Sequence, residues 1–310
     1  MPSLEIENVV KAYDTKVAVD HVSFEVKGGE VFGLLGPNGA GKSSVIRMAM
    51  DILRPDSGRI LISGQPSSVA DHDKVGYLPE ERGLYKKQKV IEVLDYFGRL
   101  KGMKGPDVKA KAQAALDRMG LGEWAKKRVD ALSKGMQQKV QIIGTLLHEP
   151  EVIILDEPFT GLDPVNTRLV KEMIATLKRE GRLVVLSTHQ MSQVEELCDR
   201  IVMIDQGRRV LYGTVREIKK RFAEEMRTTT GRGNVVVVDG EGDFPSLSGV
   251  IKAEPDGGAT KLTLVPELAP ERFLAQALAA GMTISRFEAA PTPLEEIFVH
   301  VVTQGAGAAA

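Results

Sequence analysis

Nine residues at positions 36–44, GPNGAGKSS, constrain this chain more than any other stretch. Gly36, Gly39 and Gly41 free the backbone to take conformations closed to other residues, so that consecutive N–H groups can turn inward. The apolar run VFGLL before the loop reads as a short buried strand, and KSSVIRMAMDIL after it has helical periodicity. Strand, glycine-rich turn and helix is the order in which a helix N-terminus holds phosphate oxygens. On this reading Gly36, Pro37, Asn38, Gly39, Ala40, Gly41, Lys42, Ser43 and Ser44 surround the phosphates of a nucleotide. Lys42 would neutralise β- and γ-phosphate oxygens, and the Ser43 hydroxyl would ligate magnesium.

The bulk properties narrow the partners. A length of 310 residues suits one large domain plus one smaller one. Hydrophobic residues at 43% and charged residues at 27% describe an ordinary globular chain with a sizeable core. A formal charge of -1 gives no basic field, so no nucleic acid partner is expected. The single cysteine, Cys198, can form neither an internal disulfide nor a multi-cysteine metal site. It lies where an amphipathic helix runs into an apolar strand, a setting for packing as a small hydrophobe. The N-terminus MPSLEIENVV lacks signal-peptide character, and no stretch approaches the roughly 20 apolar residues that span a bilayer.

Residues 4–26 alternate apolar and polar side chains around a turn at Asp14, the pattern of short antiparallel strands. Residues 91–147 are helical in period and form an insert. VIILDE and LVVLSTH are apolar runs of the kind found in central parallel strands, separated by helical segments. The expected fold is therefore α/β, with a parallel-sheet core, an antiparallel β subdomain and a helical subdomain. After about Arg221 the texture turns rich in glycine and turn residues. The expected division is a first domain over residues 1–221, a small C-terminal α+β domain over 222–304, and a frayed tail over 305–310.

VIILDE ends in Asp156 and Glu157. Carboxylates at the end of an apolar strand are costly unless something binds them. Phosphate-bound magnesium would be that partner for Asp156, and Glu157 would orient or deprotonate an attacking water. Two solvated loop acids are the plain alternative. His189 closes the next apolar strand. Parallel strands end on one edge, where ligands of α/β sheets bind, so His189 is expected near the γ-phosphate, although a lone histidine is often structural.

LSKGMQQKVQ, beginning at Leu132, completes a set of motifs that resembles the nucleotide-binding domains of ABC transporters, a P-loop NTPase family, over about seven-tenths of the chain. The resemblance implies ATP and magnesium as ligands and ATP hydrolysis as the activity. It further implies a head-to-tail homodimer in which Ser133, Lys134, Gly135 and Met136 meet the ATP of the opposite subunit at a helix N-terminus. Ser133 and Gly135 match the family pattern, whereas Lys134 and Met136 depart from it. Tyr13 resembles the aromatic residue that stacks on adenine, and an exposed tyrosine can also serve packing alone. Asp163 resembles a residue of the loop that crosses the dimer interface; it could equally cap the helix starting at Pro164. In YLPEERGLY, Glu80 stands where the family usually has a magnesium-contacting glutamine, and it is expected to ligate the cation directly. Solvent exposure or pairing with Arg82 are its alternatives.

Glu80, the LSKG variant and the ending TPLEEIFVHVV together resemble the ATPase subunits of sodium-efflux-type and drug-type bacterial exporters. That implies a separate membrane permease subunit and a peripheral place on the cytoplasmic face of the inner (plasma) membrane. A soluble ABC protein acting on ribosomes or DNA would carry two cassettes or a long coiled coil. A degraded, regulatory ATP binder would have lost Lys42, Asp156, Glu157 or His189. The C-terminal domain shows no catalytic constellation, and a dimer-bracing or regulatory role is expected of it.

Overall fold

The computed structural model describes residues 1–68, 72–81, 83–229, 234–289 and 293–307. They form two compact units, Met1–Thr214 and Val215–Ala310.

The first unit opens with β1 (Ser3–Tyr13) and β2 (Lys16–Lys27), then β3 (Val31–Leu35), α1 (Lys42–Ala49), β4 (Ser57–Ile62), β5 (Gln65–Pro66) and β6 (Val75–Leu78). Three helices follow, α2 (Val90–Leu100), α3 (Gly105–Arg118) and α4 (Lys134–Leu146). The chain then alternates through β7 (Val152–Asp156), α5 (Pro164–Arg179), β8 (Leu183–Ser187), α6 (Met191–Leu197), β9 (Arg200–Asp205) and β10 (Arg208–Thr214). The core is α/β, with an antiparallel β subdomain and a helical subdomain.

Two sheets share this unit. One is antiparallel in the order β2-β1-β4-β5, with inward residues such as Leu4 and Ile6 alternating with half-exposed ones. The other runs β10-β9-β3-β8-β7-β6, parallel except for the edge pairing of β10 with β9. Every residue of β3, β7 and β8 is buried, as strands covered on both faces require. Gly33 leaves room for its neighbours: a Cβ there would lie 2.9 Å from Ile201 Cγ2 and 3.1 Å from Cys198 Sγ. Cys198 packs in this layer, and burial pushes its thiol up to about 12.

The second unit comprises α7 (Val215–Thr229), β11 (Val235–Glu241), β12 (Val250–Asp256), β13 (Ala259–Leu264), α8 (Pro270–Ala279), β14 (Thr283–Ala289) and α9 (Leu294–Gly307). Its antiparallel sheet has the order β12-β13-β11-β14, with Val236, Val238, Leu262, Leu264 and Phe273 in one core. The compact units divide at Thr214, ahead of the change in texture at Arg221, because α7 continues unbroken through that point and its Ile218 and Phe222 are buried. Helix α9 runs to Gly307, past the point where the packing pattern of the sequence stops; residues 308–310 lie outside the described residues, as does Arg82.

Candidate functional site

Strand order brings the sequence-predicted residues together. In parallel register Leu34 pairs with Ser187, Asp156 with Ser187, and Leu78 with Leu155, so β3, β8, β7 and β6 end on one edge. The segments leaving that edge carry the glycine-rich loop, His189, Glu157 and Glu80, as expected where ligands of parallel sheets bind. A cavity of about 480 Å³ opens there. It is lined by Asn38, Gly39, Gly41, Lys42, Ser43 and Ser44 on the loop side, by Glu80, Asp156, Glu157 and His189 on the strand side, and by Tyr13 at the rim. A larger cavity, about 880 Å³, lies between α3, α4 and α5, and none of the sequence-predicted site residues lines it.

The loop is shaped by close approach. Gly41 precedes α1 at φ 110°, and a Cβ there would lie 2.4 Å from the Ala18 carbonyl oxygen. Gly36 is tighter still, 2.1 Å from the Ile204 carbonyl oxygen. Gly36, Pro37 and Ala40 do not line the cavity. Lys42 Nζ donates to the carbonyls of Gly36 at 2.7 Å and Pro37 at 3.0 Å, and Ala40 is 3% exposed. Burial pushes the Lys42 ammonium below its ordinary value, against the fields of Glu157, Asp156 and Glu80.

The carboxylates have distinct settings. Asp156 is 5% exposed, and burial raises its pKa, with Glu80 and Glu157 adding to the rise and Lys42 opposing it. Glu157 takes φ 48°, a sparsely populated conformation for a side-chain-bearing residue. Its Oε1 accepts from the His189 backbone N–H at 3.0 Å and lies 2.6 Å from His189 Nδ1, while Oε2 accepts from Thr188 Oγ1 at 3.2 Å. Among the described residues no group of three or more His, Cys, Asp or Glu is placed to hold a metal ion. A divalent ion carried by phosphate fits this donor set, because magnesium keeps waters and substrate oxygens and takes only one or two carboxylates from the protein.

Tyr13 is 42% exposed, with its hydroxyl 3.4 Å from Ser44 Oγ. The cavity also holds two residues that the sequence reading passed over, Lys16 and Ala18. Lys16 faces Tyr13 across the two-residue turn, so the hairpin register was the signal that could have found it.

Ser133, Lys134, Gly135, Met136 and Asp163 stand apart from this cavity. Ser133 caps α4, its Oγ accepting from the Met136 N–H at 3.2 Å. Asp163 caps α5, accepting from the Asn166 N–H at 2.9 Å. Capping is thus a present role of Asp163, whatever it does across an interface.

Known proteins resemble this chain over most of its length. The ABC transporter family pattern matches residues 19–160, and that of the C-terminal domain of DrrA1-3-like ATP-binding proteins matches residues 213–302. The ABC transporter ATP-binding protein YhaQ of Bacillus subtilis is 38% identical over 301 residues, covering 96% of this chain and 98% of that one. The linearmycin resistance ATP-binding protein LnrL of Bacillus subtilis is 38% identical over 222 residues, 71% of each chain. Among solved structures, an ATP-binding subunit of an ABC transporter superposes with a TM-score of 0.66 at 31% identity, covering 71% of this chain and 92% of that one. With likeness to one such relative running almost end to end, the chain belongs to the ABC transporter ATP-binding proteins and is an ATP-binding subunit of an ABC transport system.

Proposed function

We propose that this subunit hydrolyses ATP as one half of a head-to-tail homodimer and so drives export through a separate membrane-spanning permease, working from the cytoplasmic face of the membrane. One observation carries the reading. Lys42, Asp156, Glu157 and His189 converge on a cavity that Ser133 and Asp163 of the same chain do not line. Phosphate-binding and water-activating groups are present in one copy, and a second copy would bring its α4 N-terminus to complete the enclosure.

The chain's own residues divide the chemistry. Tyr13 stacks on adenine, the loop N–H groups and Lys42 hold the phosphates, and Glu157 orients or deprotonates the attacking water. His189 fixes the Glu157 carboxylate and stands beside the γ-phosphate. Magnesium, when bound with the nucleotide, neutralises phosphate charge, and Ser43, Asp156 and Glu80 are the residues that would hold it. Binding closes the pair because each nucleotide touches both copies, and loss of the γ-phosphate contacts lets it open.

The permease would dock in a groove between β6, α2 and α4, lined by Tyr77, Phe97, Leu100 and Thr145 next to the Glu80 segment. Gln141 Oε1 and His148 Nδ1 are buried beneath it and have no hydrogen-bond partner among the described residues. Among the described residues no helix is long and apolar enough to cross a membrane. LnrL is named for resistance to linearmycin, which favours export.

The test is light scattering of the Glu157→Gln protein with and without magnesium and ATP. A dimer that forms only with ATP, together with loss of the phosphate release measured for the unmodified protein, supports the reading. Persistent monomers would sink it.

A further inference from the structure

One face of α4 is fastened to the segment that follows β7. Gly135, Gln138 and Lys139 recur at i, i+3 and i+4 and so lie on one side of the helix. A Cβ on Gly135 would stand 3.1 Å from the Gly161 carbonyl oxygen, which makes this a close backbone approach. Gln138, 4% exposed, donates from Nε2 to the Pro158 carbonyl at 3.2 Å. Lys139, 8% exposed, donates from Nζ to the Met119 carbonyl at 2.6 Å and to Asn166 Oδ1 at 3.1 Å. Asn166 in turn donates from Nδ2 to Asp163 Oδ2 and from its backbone N–H to Asp163 Oδ1.

The polarity of this chain of bonds is fixed by chemistry. An ammonium only donates and a carboxylate only accepts, so the Asn166 amide has a single orientation that satisfies both neighbours. The Met119 carbonyl caps the C-terminal end of α3, the negative end of its dipole, which suits a buried cation. Burial pushes the Lys139 ammonium below its ordinary value, and Asp163 opposes that fall. A methionine would fill the same space without desolvating a charge, so what the lysine contributes is geometry rather than burial.

We propose that Lys139 is a positioning residue: through Asn166 it fixes Asp163 and the loop from Gly161 against the first turn of α4, so that Ser133–Met136 and this loop reach a second copy's nucleotide as one piece. The inference rests on the head-to-tail reading above and adds a specific brace to it.

The experiment uses the full chain. Lys139→Met, Lys139→Arg and Asn166→Ala are each placed in the Glu157→Gln protein, and dimerisation with magnesium and ATP is followed by analytical ultracentrifugation. Breaking a charge-assisted bond should weaken dimerisation about tenfold in Lys139→Met and Asn166→Ala, while Lys139→Arg, which keeps its donors, recovers most of it. Binding of ATP to the single copy should change less than about twofold, since the cavity is untouched. In the otherwise unmodified protein the same changes should lower kcat about tenfold and leave KM in place. Asn166→Ala removes the link while leaving the Lys139 bond to Met119, so it decides the matter if Lys139→Met folds poorly. Dimerisation and kcat equal to the parent in both variants overturn the brace and leave the head-to-tail reading standing. A Glu157→Gln parent that stays monomeric with ATP overturns that reading, and the brace with it.

Discussion

The Glu157 carboxylate and the His189 imidazole are in direct contact, Oε1 to Nδ1 at 2.6 Å, and the same oxygen also accepts the His189 backbone N–H at 3.0 Å. The side chain proposed to act on water is thereby held by the residue that closes the neighbouring strand. Its orientation depends on β7 and β8 being adjacent in the sheet. Glu157→Gln should lower the rate of phosphate release at least about 100-fold, the scale of a lost general base, with ATP binding retained. His189→Ala should lower it about tenfold or more through misorientation of Glu157. Equal turnover in both variants and the unmodified protein would dismiss the assignment.

Glu80 is one of three carboxylates whose fields reach Lys42, with Asp156 and Glu157. Replacing one of them by an amide reduces the negative charge available to a cation. Glu80→Gln should raise the magnesium concentration needed for half-maximal turnover about tenfold. A magnesium titration of ATP hydrolysis checks this, and superimposable curves would remove Glu80 from the metal site.

Lys16 and Tyr13 face each other across the β1–β2 turn at the cavity rim. Tyr13→Ala should weaken ATP binding about tenfold through loss of ring area, and Tyr13→Trp should restore it. Lys16→Ala should weaken it about threefold, an effect that fades as salt is raised because the side chain is exposed. Equilibrium binding of a fluorescent ATP analogue at two ionic strengths separates the two contributions. A salt-independent loss for Lys16→Ala would argue against a charge role.

Gly41 has φ 110° and no room for a Cβ beside the Ala18 carbonyl. Gly41→Ala should cost about 2 kcal/mol or more of stability and abolish ATP binding, because strain and clash act together. A variant with normal melting and normal binding would mean that the loop tolerates another path.

His148 sits at the end of the α4 region with Nε2 3.3 Å from the Val75 carbonyl, and burial pushes its imidazole below the ordinary value of 6.5. The unfolded chain therefore takes up a proton below pH 6.5 that the folded chain refuses until more acid conditions. Stability should fall as pH drops from 6.5 toward the folded value and level off beneath it. His148→Gln, which keeps a donor for Val75, should flatten that fall. Melting temperature against pH for the two proteins makes the comparison, and parallel curves would exclude His148 as the cause.

Contiguous stretches of the chain carried most of what could be read in advance. The strand, glycine-rich loop and helix around Lys42, the apolar strands ending at Asp156 and before His189, and the antiparallel opening all express local periodicity and turn chemistry. Each is encoded within about a dozen residues, over which backbone preference and burial pattern agree. The family followed from the same stretches, because they are the segments in which its motifs lie.

What remained hidden depended on residues far apart in sequence. The order β10-β9-β3-β8-β7-β6 underlies the shared edge expected of Glu157 and His189, and no local pattern contains that order. The register across the β1–β2 turn put Lys16 into the cavity. Lys139 reads as one more polar position on α4 until packing buries it against Met119 and Asn166, where an ammonium must find acceptors or lose its charge. The continuity of α7 past Arg221 set the division at Thr214, since Phe222 on that helix packs edge-on against His300 of α9 in the second unit. The sequence alone determined the strand, glycine-rich loop and helix that present Lys42. Tertiary structure decided which distant side chains would stand around that lysine, because burial and hydrogen bonding between remote segments exist only once the chain is packed.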